Sequence, residues 1–221
     1  MLFIVATPIG NMEDISLRAL RILKEIDFIL AEDTRKTGML LKRLEIKKKM
    51  VSFFDHNEVK KMAWVMEELK KGKKIALVSS AGTPTIADPG FKLVRECRSA
   101  NIEVTSIPGP SSVINALVLT SIPHDKFLFL GYLSRKKGDR IKCFQKIKEI
   151  NITSVFLESP YRVLRSLIDL KEVLGDRKIA VIREMTKKFE EVLEVSLEEA
   201  IIHLNKKQLK GEIVVVVERL S

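Results

Sequence analysis

Five short, largely apolar runs, each followed by a polar or Gly/Pro-rich cluster and then by a helical pattern, limit what this chain can fold into. The runs occupy residues 2–6, 28–31, 51–54, 75–78 and 102–107. Between them, Ile15, Ala19, Leu20, Ile22, Leu23 and Ile26 recur at helical spacing behind Asp14, which stands where an N-cap would. Met39, Leu40, Leu41 and Leu44 mark a second helix, and residues 59–69 and 91–100 carry two more. Continuous apolar strands alternating with amphipathic helices predict a parallel five-stranded sheet covered on both faces.

The clusters after the strands matter most for function. They read Thr7-Pro8-Ile9-Gly10-Asn11, Glu32-Asp33-Thr34-Arg35, Asp55-His56-Asn57-Glu58, Ser79-Ser80-Ala81-Gly82-Thr83-Pro84 and Pro108-Gly109-Pro110-Ser111-Ser112. In a parallel sheet all five lie at the carboxyl edge, where open α/β sheets bind ligands. Any one of them is an ordinary turn sequence; five along one edge point to a site. Neither the G-x-G-x-x-G dinucleotide fingerprint nor a G-x-x-x-x-G-K-[ST] phosphate loop is present. The Pro/Gly loops suit close backbone approach to a ligand needing few phosphate contacts, such as an adenosine carrying a sulfonium and an amino acid.

Ser121-Ile122-Pro123 breaks the pattern. The expected division is an N-terminal α/β domain at 1–121 and a C-terminal α/β domain at 122–221. The second half predicts strands at 127–130, 155–157, 179–183, 192–195 and 213–217, with helices at 138–149, 160–174 and 197–205. Its less regular alternation predicts a mixed, partly antiparallel sheet. Arg135, Lys136, Lys137, Arg140, Lys142, Lys146 and Lys148 form a basic run, read either as a solvated helix face or as contacts to RNA phosphate. Tyr132, just before it, is a candidate for base stacking. The net charge of +10 is shared evenly between the halves, which suits a polyanionic partner. It equally suits a surface stabilised by ion-pair networks. Cys97 and Cys143 stand far apart with no ligand-like spacing, the usage expected of free thiols in the cytoplasm. No apolar run approaches the ~18 residues of a membrane span.

The segments VATPIGNMEDIS (5–16), AEDTRKT (31–37), DHNE (55–58), SSAGTPTIADPG (79–90), PGPSS (108–112), LESPYR (157–162), REMTK (183–187) and GEIVVVVE (211–218) occur in order along the whole chain. Together they resemble the rRNA small-subunit methyltransferase I (RsmI) family, within the tetrapyrrole-methylase superfamily. The resemblance implies two α/β domains with S-adenosylmethionine (SAM) in the interdomain cleft. It also implies methylation of the ribose 2′-oxygen of a decoding-centre cytidine in 16S rRNA, usually by a homodimer. On this pattern Pro8, Ile9, Gly10 and Asn11 line the cofactor, as do Ser79, Ser80, Ala81, Gly82, Thr83 and Ile86. Ser111, Ser112 and Val113 join them, and Leu157, Glu184 and Gly211 close the site from the second domain. Three departures stand out: Ser80 where the family usually has Asp, Tyr161 where it often has His, and an end soon after Glu218 without a further helical tail.

The implied reaction is in-line attack of the 2′-oxygen on the methyl of SAM, which needs no metal. The protein must align oxygen, carbon and sulfur and accept the hydroxyl proton. Glu32 is the first candidate for that proton, followed by His56 and Glu58. Arg35, Arg135, Lys136, Lys137 and Arg140 are the candidates for gripping RNA, in single-stranded or splayed form. Two other readings keep the fold: a precorrin-like tetrapyrrole C-methyltransferase, and a non-catalytic RNA-binding module.

Overall fold

Residues that alternate along a strand point to opposite faces, so a strand apolar at every position needs cover on both sides. The computed structural model, which describes residues 1–206 and 209–220, supplies that cover. Strands β1 (Leu2–Val5), β2 (Phe28–Ala31), β3 (Lys49–Ser52), β4 (Ile75–Val78) and β5 (Val104–Ile107) form one parallel sheet in the order β3-β2-β4-β1-β5. Phe3, Val5, Ile29, Ala31, Ala76 and Val78 pack on one face beneath helices α1 (Leu17–Glu25) and α2 (Thr34–Arg43). Their alternates Leu2, Ile4, Phe28, Leu30, Ile75 and Leu77 pack on the other beneath α3 (Asp55–Lys70) and α4 (Phe91–Ser99).

Three local expectations are corrected. The N-cap of α1 is Ser16, whose hydroxyl accepts the Ala19 N–H, while Asp14 closes a short 3₁₀ turn at Met12–Asp14. The third strand sits two residues earlier than the apolar run suggests, since Phe53 is buried beyond its end. Residues 55–58 are the first turn of α3, not a loop. The Asn57 side chain accepts the Phe54 N–H at 2.9 Å, and Asp55 and Glu58 complement the positive helix end.

The chain divides into two compact units, Met1–Ser111 and Ser112–Ser221. The second opens with α5 (Ser112–Val118), a helix the sequence reading did not identify. Strands β6 (Phe127–Tyr132), β7 (Thr153–Glu158), β8 (Lys178–Arg183), β9 (Glu191–Ser196) and β10 (Ile213–Val217) form a mixed sheet in the order β6-β7-β10-β8-β9. Only β6 and β7 are parallel; the other three pairings are antiparallel. Helices α6 (Lys137–Ile150), α7 (Val163–Leu174) and α8 (Leu197–Asn205) bury Phe144, Leu167, Leu170 and Ala200 against Phe156, Val181 and Val215. The β10 run Ile213-Val214-Val215-Val216-Val217 is buried throughout, as a central strand covered on both faces requires.

Candidate active site

The connection leaving β1 runs to β2 on one side of the first sheet, and the connection leaving β4 runs to β5 on the other. Adjacent strands whose connections diverge leave a crevice at their carboxyl ends, the switch point where open α/β sheets take ligands. The loops flanking it are residues 7–11 and 79–90, and they are bonded to each other. Thr7 and Gly82 exchange two backbone hydrogen bonds, of 2.9 and 3.0 Å. The Ser79 hydroxyl donates to the carbonyls of Ala81 and Gly82, and the Thr83 hydroxyl donates to Pro110 O at 3.1 Å. Gly109 permits the third loop's approach, because a Cβ there would stand 3.0 Å from Ala6 Cβ. The loops after β1, β4 and β5 are therefore one laced edge. Thr85 and Ala87, with φ of 73° and 61°, hold left-handed backbone beside the half-exposed Ile86, the kind of stored strain that clusters at functional sites.

The loop after β2 joins this edge through Glu32, whose Oε2 accepts the Ser80 N–H at 2.8 Å. Its neighbour Asp33 turns the other way. It caps α2 by accepting the Arg35 and Lys36 N–H groups, and it takes the exposed Arg35 guanidinium on both oxygens. Arg35 and the cap hold the Asp33 carboxyl down at about 2. Thr7 Oγ1, at the end of β1, is buried with no hydrogen-bond partner. The other two candidate acid–base groups lie on α3. His56 is exposed, edge-on to Phe54 at 6.2 Å between ring centroids. Glu58 is 2% exposed, with Lys92 3.4 Å from Oε2 and no partner for Oε1.

Of the remaining residues the sequence assigned to the cofactor, Ile9 is buried and Asn11 Oδ1 caps the 3₁₀ turn by accepting the Glu13 N–H. Ser111 ends the first unit; Ser112 and the buried Val113 begin α5. In the second unit the register pairs Ile213 with both Glu158 and Arg183, so residues 157–162, 183–187 and 211–212 meet at one end of its sheet. Glu184 bonds there to Glu212 N–H and to Lys187 at 2.9 Å. Burial opposes its ionisation, but Lys187 and that N–H hold its carboxyl below the usual range. Gly211 has φ of 88°, and a side chain there would collide with the Glu184 carboxylate.

The basic run divides. Arg135 and Lys136 are exposed before α6, while Lys137 bonds Glu172 at 2.9 Å. Arg140 is buried: its Nε donates to Asp169 Oδ2 at 2.7 Å and its Nη1 to Ser134 O at 2.9 Å. The sequence reading missed Asp169, and it missed Glu158, buried at the end of β7, because an acidic residue inside an apolar pattern does not announce its partner.

Residues 1–201 match the family described as Tetrapyrrole (Corrin/Porphyrin) Methylases. The chain belongs to the tetrapyrrole methylase family. Among its members it is 47% identical, over 97% of this chain and 96% of the relative, to a protein of Thermotoga maritima named Ribosomal RNA small subunit methyltransferase I. It is 42% identical to the Bacillus subtilis protein of the same name, over 99% of this chain and 75% of that one. The chain thus falls in the small-subunit methyltransferase I group of tetrapyrrole methylases. Solved structures agree on the fold. The methyltransferase CobJ superposes with a TM-score of 0.74 at 16% identity, over 99% of this chain and 93% of that one. A uroporphyrin-III-C-methyltransferase from Thermus thermophilus gives 0.65 at 21% identity, over 97% and 93%. Among the described residues no cluster of three His, Cys, Asp or Glu could hold a metal ion, and no helix is long and apolar enough to cross a membrane.

Proposed function

We propose that this tetrapyrrole methylase transfers a methyl group from SAM to the ribose 2′-oxygen of a decoding-centre cytidine in 16S rRNA of the small ribosomal subunit. The single observation that carries the reading is the near full-length 47% identity to a protein named for small-subunit rRNA methylation. The laced edge between β1 and β4 supports it.

The residues there fit SAM. Loops 7–11, 79–90 and 108–111 contain no Lys or Arg, which disfavours a phosphate-rich ligand, while Asp88 among them suits a sulfonium cation. The orphaned Thr7 hydroxyl supplies a polar atom that protein alone leaves unsatisfied. Pro8 to Asn11, Ser79 to Thr83, Ile86 and Ser111 would hold the cofactor. SAM supplies an electrophilic methyl when bound. Glu32, fixed by the Ser80 N–H, accepts the proton of the attacking 2′-hydroxyl. We prefer it to His56, which no hydrogen bond orients, and to Glu58, whose burial removes it from a polymeric substrate. Arg35, presented by Asp33, and the exposed Arg135 and Lys136 bind RNA phosphate. We place the reaction in the cytoplasm and assign the active species as a homodimer, which light scattering in solution tests.

The test is methyl transfer from radiolabelled SAM to small subunits lacking the modification, with nuclease mapping of the product. Label on one cytidine 2′-oxygen is expected. Label on a base, or on uroporphyrinogen but not on subunits, would replace the proposal with another acceptor.

A further inference from the structure

Tyr161 is 93% exposed, more than any other large apolar side chain described, yet it stands on one of the best-anchored turns of the second unit. The buried Glu158 carboxylate accepts the Ser159 N–H at 2.8 Å, the Ser166 hydroxyl at 2.7 Å and the Arg162 guanidinium. The Tyr161 N–H donates to Ser159 Oγ, and the Arg162 N–H donates to Ser159 O. Its exposure therefore belongs to an ordered turn. The backbone that carries the neighbouring cations is fixed too. β6 and β7 run parallel with Tyr132 opposite Leu157, so the segments leaving them lie side by side. Arg162 Nη1 donates to Leu133 O at 3.3 Å, tying the Tyr161 turn to the segment that continues into Arg135 and Lys136. Arg140 Nη1 fixes that segment from the other side through Ser134 O.

An aromatic ring presented to water on the same anchored backbone as exposed cations matches the chemistry of unpaired RNA, whose bases stack on rings while phosphates meet the charges. We propose that Tyr161 is the stacking platform for an unpaired nucleobase of the RNA substrate, with Arg135 and Lys136 on the flanking phosphates. The inference rests on the RNA-methylation reading and adds to it a positioning residue in the second unit.

Because Tyr161 buries almost nothing, Tyr161→Ala should leave the thermal midpoint unchanged. Steady-state methylation of small subunits lacking the modification, measured across a salt series, is the experiment. Stacking predicts that Tyr161→Ala raises KM for the subunit roughly 5- to 100-fold. SAM affinity should hold, and so should the slope of log affinity against log salt. Tyr161→Phe should restore the wild-type KM, since stacking needs the ring and not the hydroxyl. An unchanged KM in Tyr161→Ala, or a Phe variant as impaired as Ala, would overturn the inference while leaving RNA methylation standing. Wild-type protein that methylates no subunit preparation would overturn both.

Discussion

A carboxylate 48 residues from its partner in sequence fixes the geometry of the proposed centre. Glu32 reaches the backbone of Ser80 across the gap between β2 and β4. This decides how substitutions there should read. Glu32→Gln keeps an oxygen acceptor for the Ser80 N–H but cannot take a proton. It should bind SAM as wild type while losing roughly 10²- to 10⁴-fold in methyl transfer, the usual range for a removed general base. Glu32→Ala also frees the loop and should weaken SAM binding, measured by calorimetry. Equal turnover in Glu32→Gln and wild type would remove Glu32 from proton transfer. At this scale the sequence was only half legible. It put Glu32 on the carboxyl edge, because a parallel sheet leaves little choice about where a strand's next residue lies. It could not show that Asp33, one residue on, faces Arg35 instead, nor that Glu58 goes inside, since adjacent acidic residues look alike until backbone direction separates them.

Helix α6 shows the same limit for an element. Its basic run reads as one surface, yet the helix carries Arg140 inward to Asp169, while Arg135 and Lys136, just before its first turn, stay in water. The two kinds of cation should respond differently to alanine. Arg140→Ala strands a buried carboxylate and should cost about 3–5 kcal/mol of stability by urea unfolding. Lys136→Ala should leave stability within about 0.5 kcal/mol and instead lower the salt slope of RNA binding by about 1. An Arg140→Ala variant of wild-type stability would show that the pair does not form in solution. Elements with unbroken apolar patterns were read well: β2 and β4 fall at the expected residues, because central parallel strands admit no polar position. The helix α5 was missed because it is 7 residues long and follows a Pro-Gly-Pro turn, too short for a period to show.

For the whole molecule, net charge of +10 makes acid the condition to watch, since every carboxylate protonated below neutrality adds to self-repulsion. The exit from α5 is held by one such group. Glu194 on β9 accepts the Thr120 hydroxyl at 2.8 Å, the Ser121 N–H at 2.9 Å and Lys178 Nζ at 2.6 Å, and bonds the Ser121 hydroxyl as well. Burial alone would raise its carboxyl, but Lys178 and the Ser121 and Thr120 donors outweigh this and hold it at about 2, against 4.5 for a free glutamate. A carboxyl depressed in the folded state stabilises above its unfolded value and loses that contribution as pH falls through its folded value. Wild-type stability should therefore decline from about pH 4.5 toward pH 2. Glu194→Gln should be less stable at pH 7 by on the order of 2 kcal/mol and flatter across that acid window. Denaturant midpoints at several pH values measure both. Parallel wild-type and Glu194→Gln profiles would mean that Glu194 does not tie the α5 exit to the sheet, and that acid sensitivity comes from the distributed excess of positive charge, which added salt would then suppress equally in the two proteins.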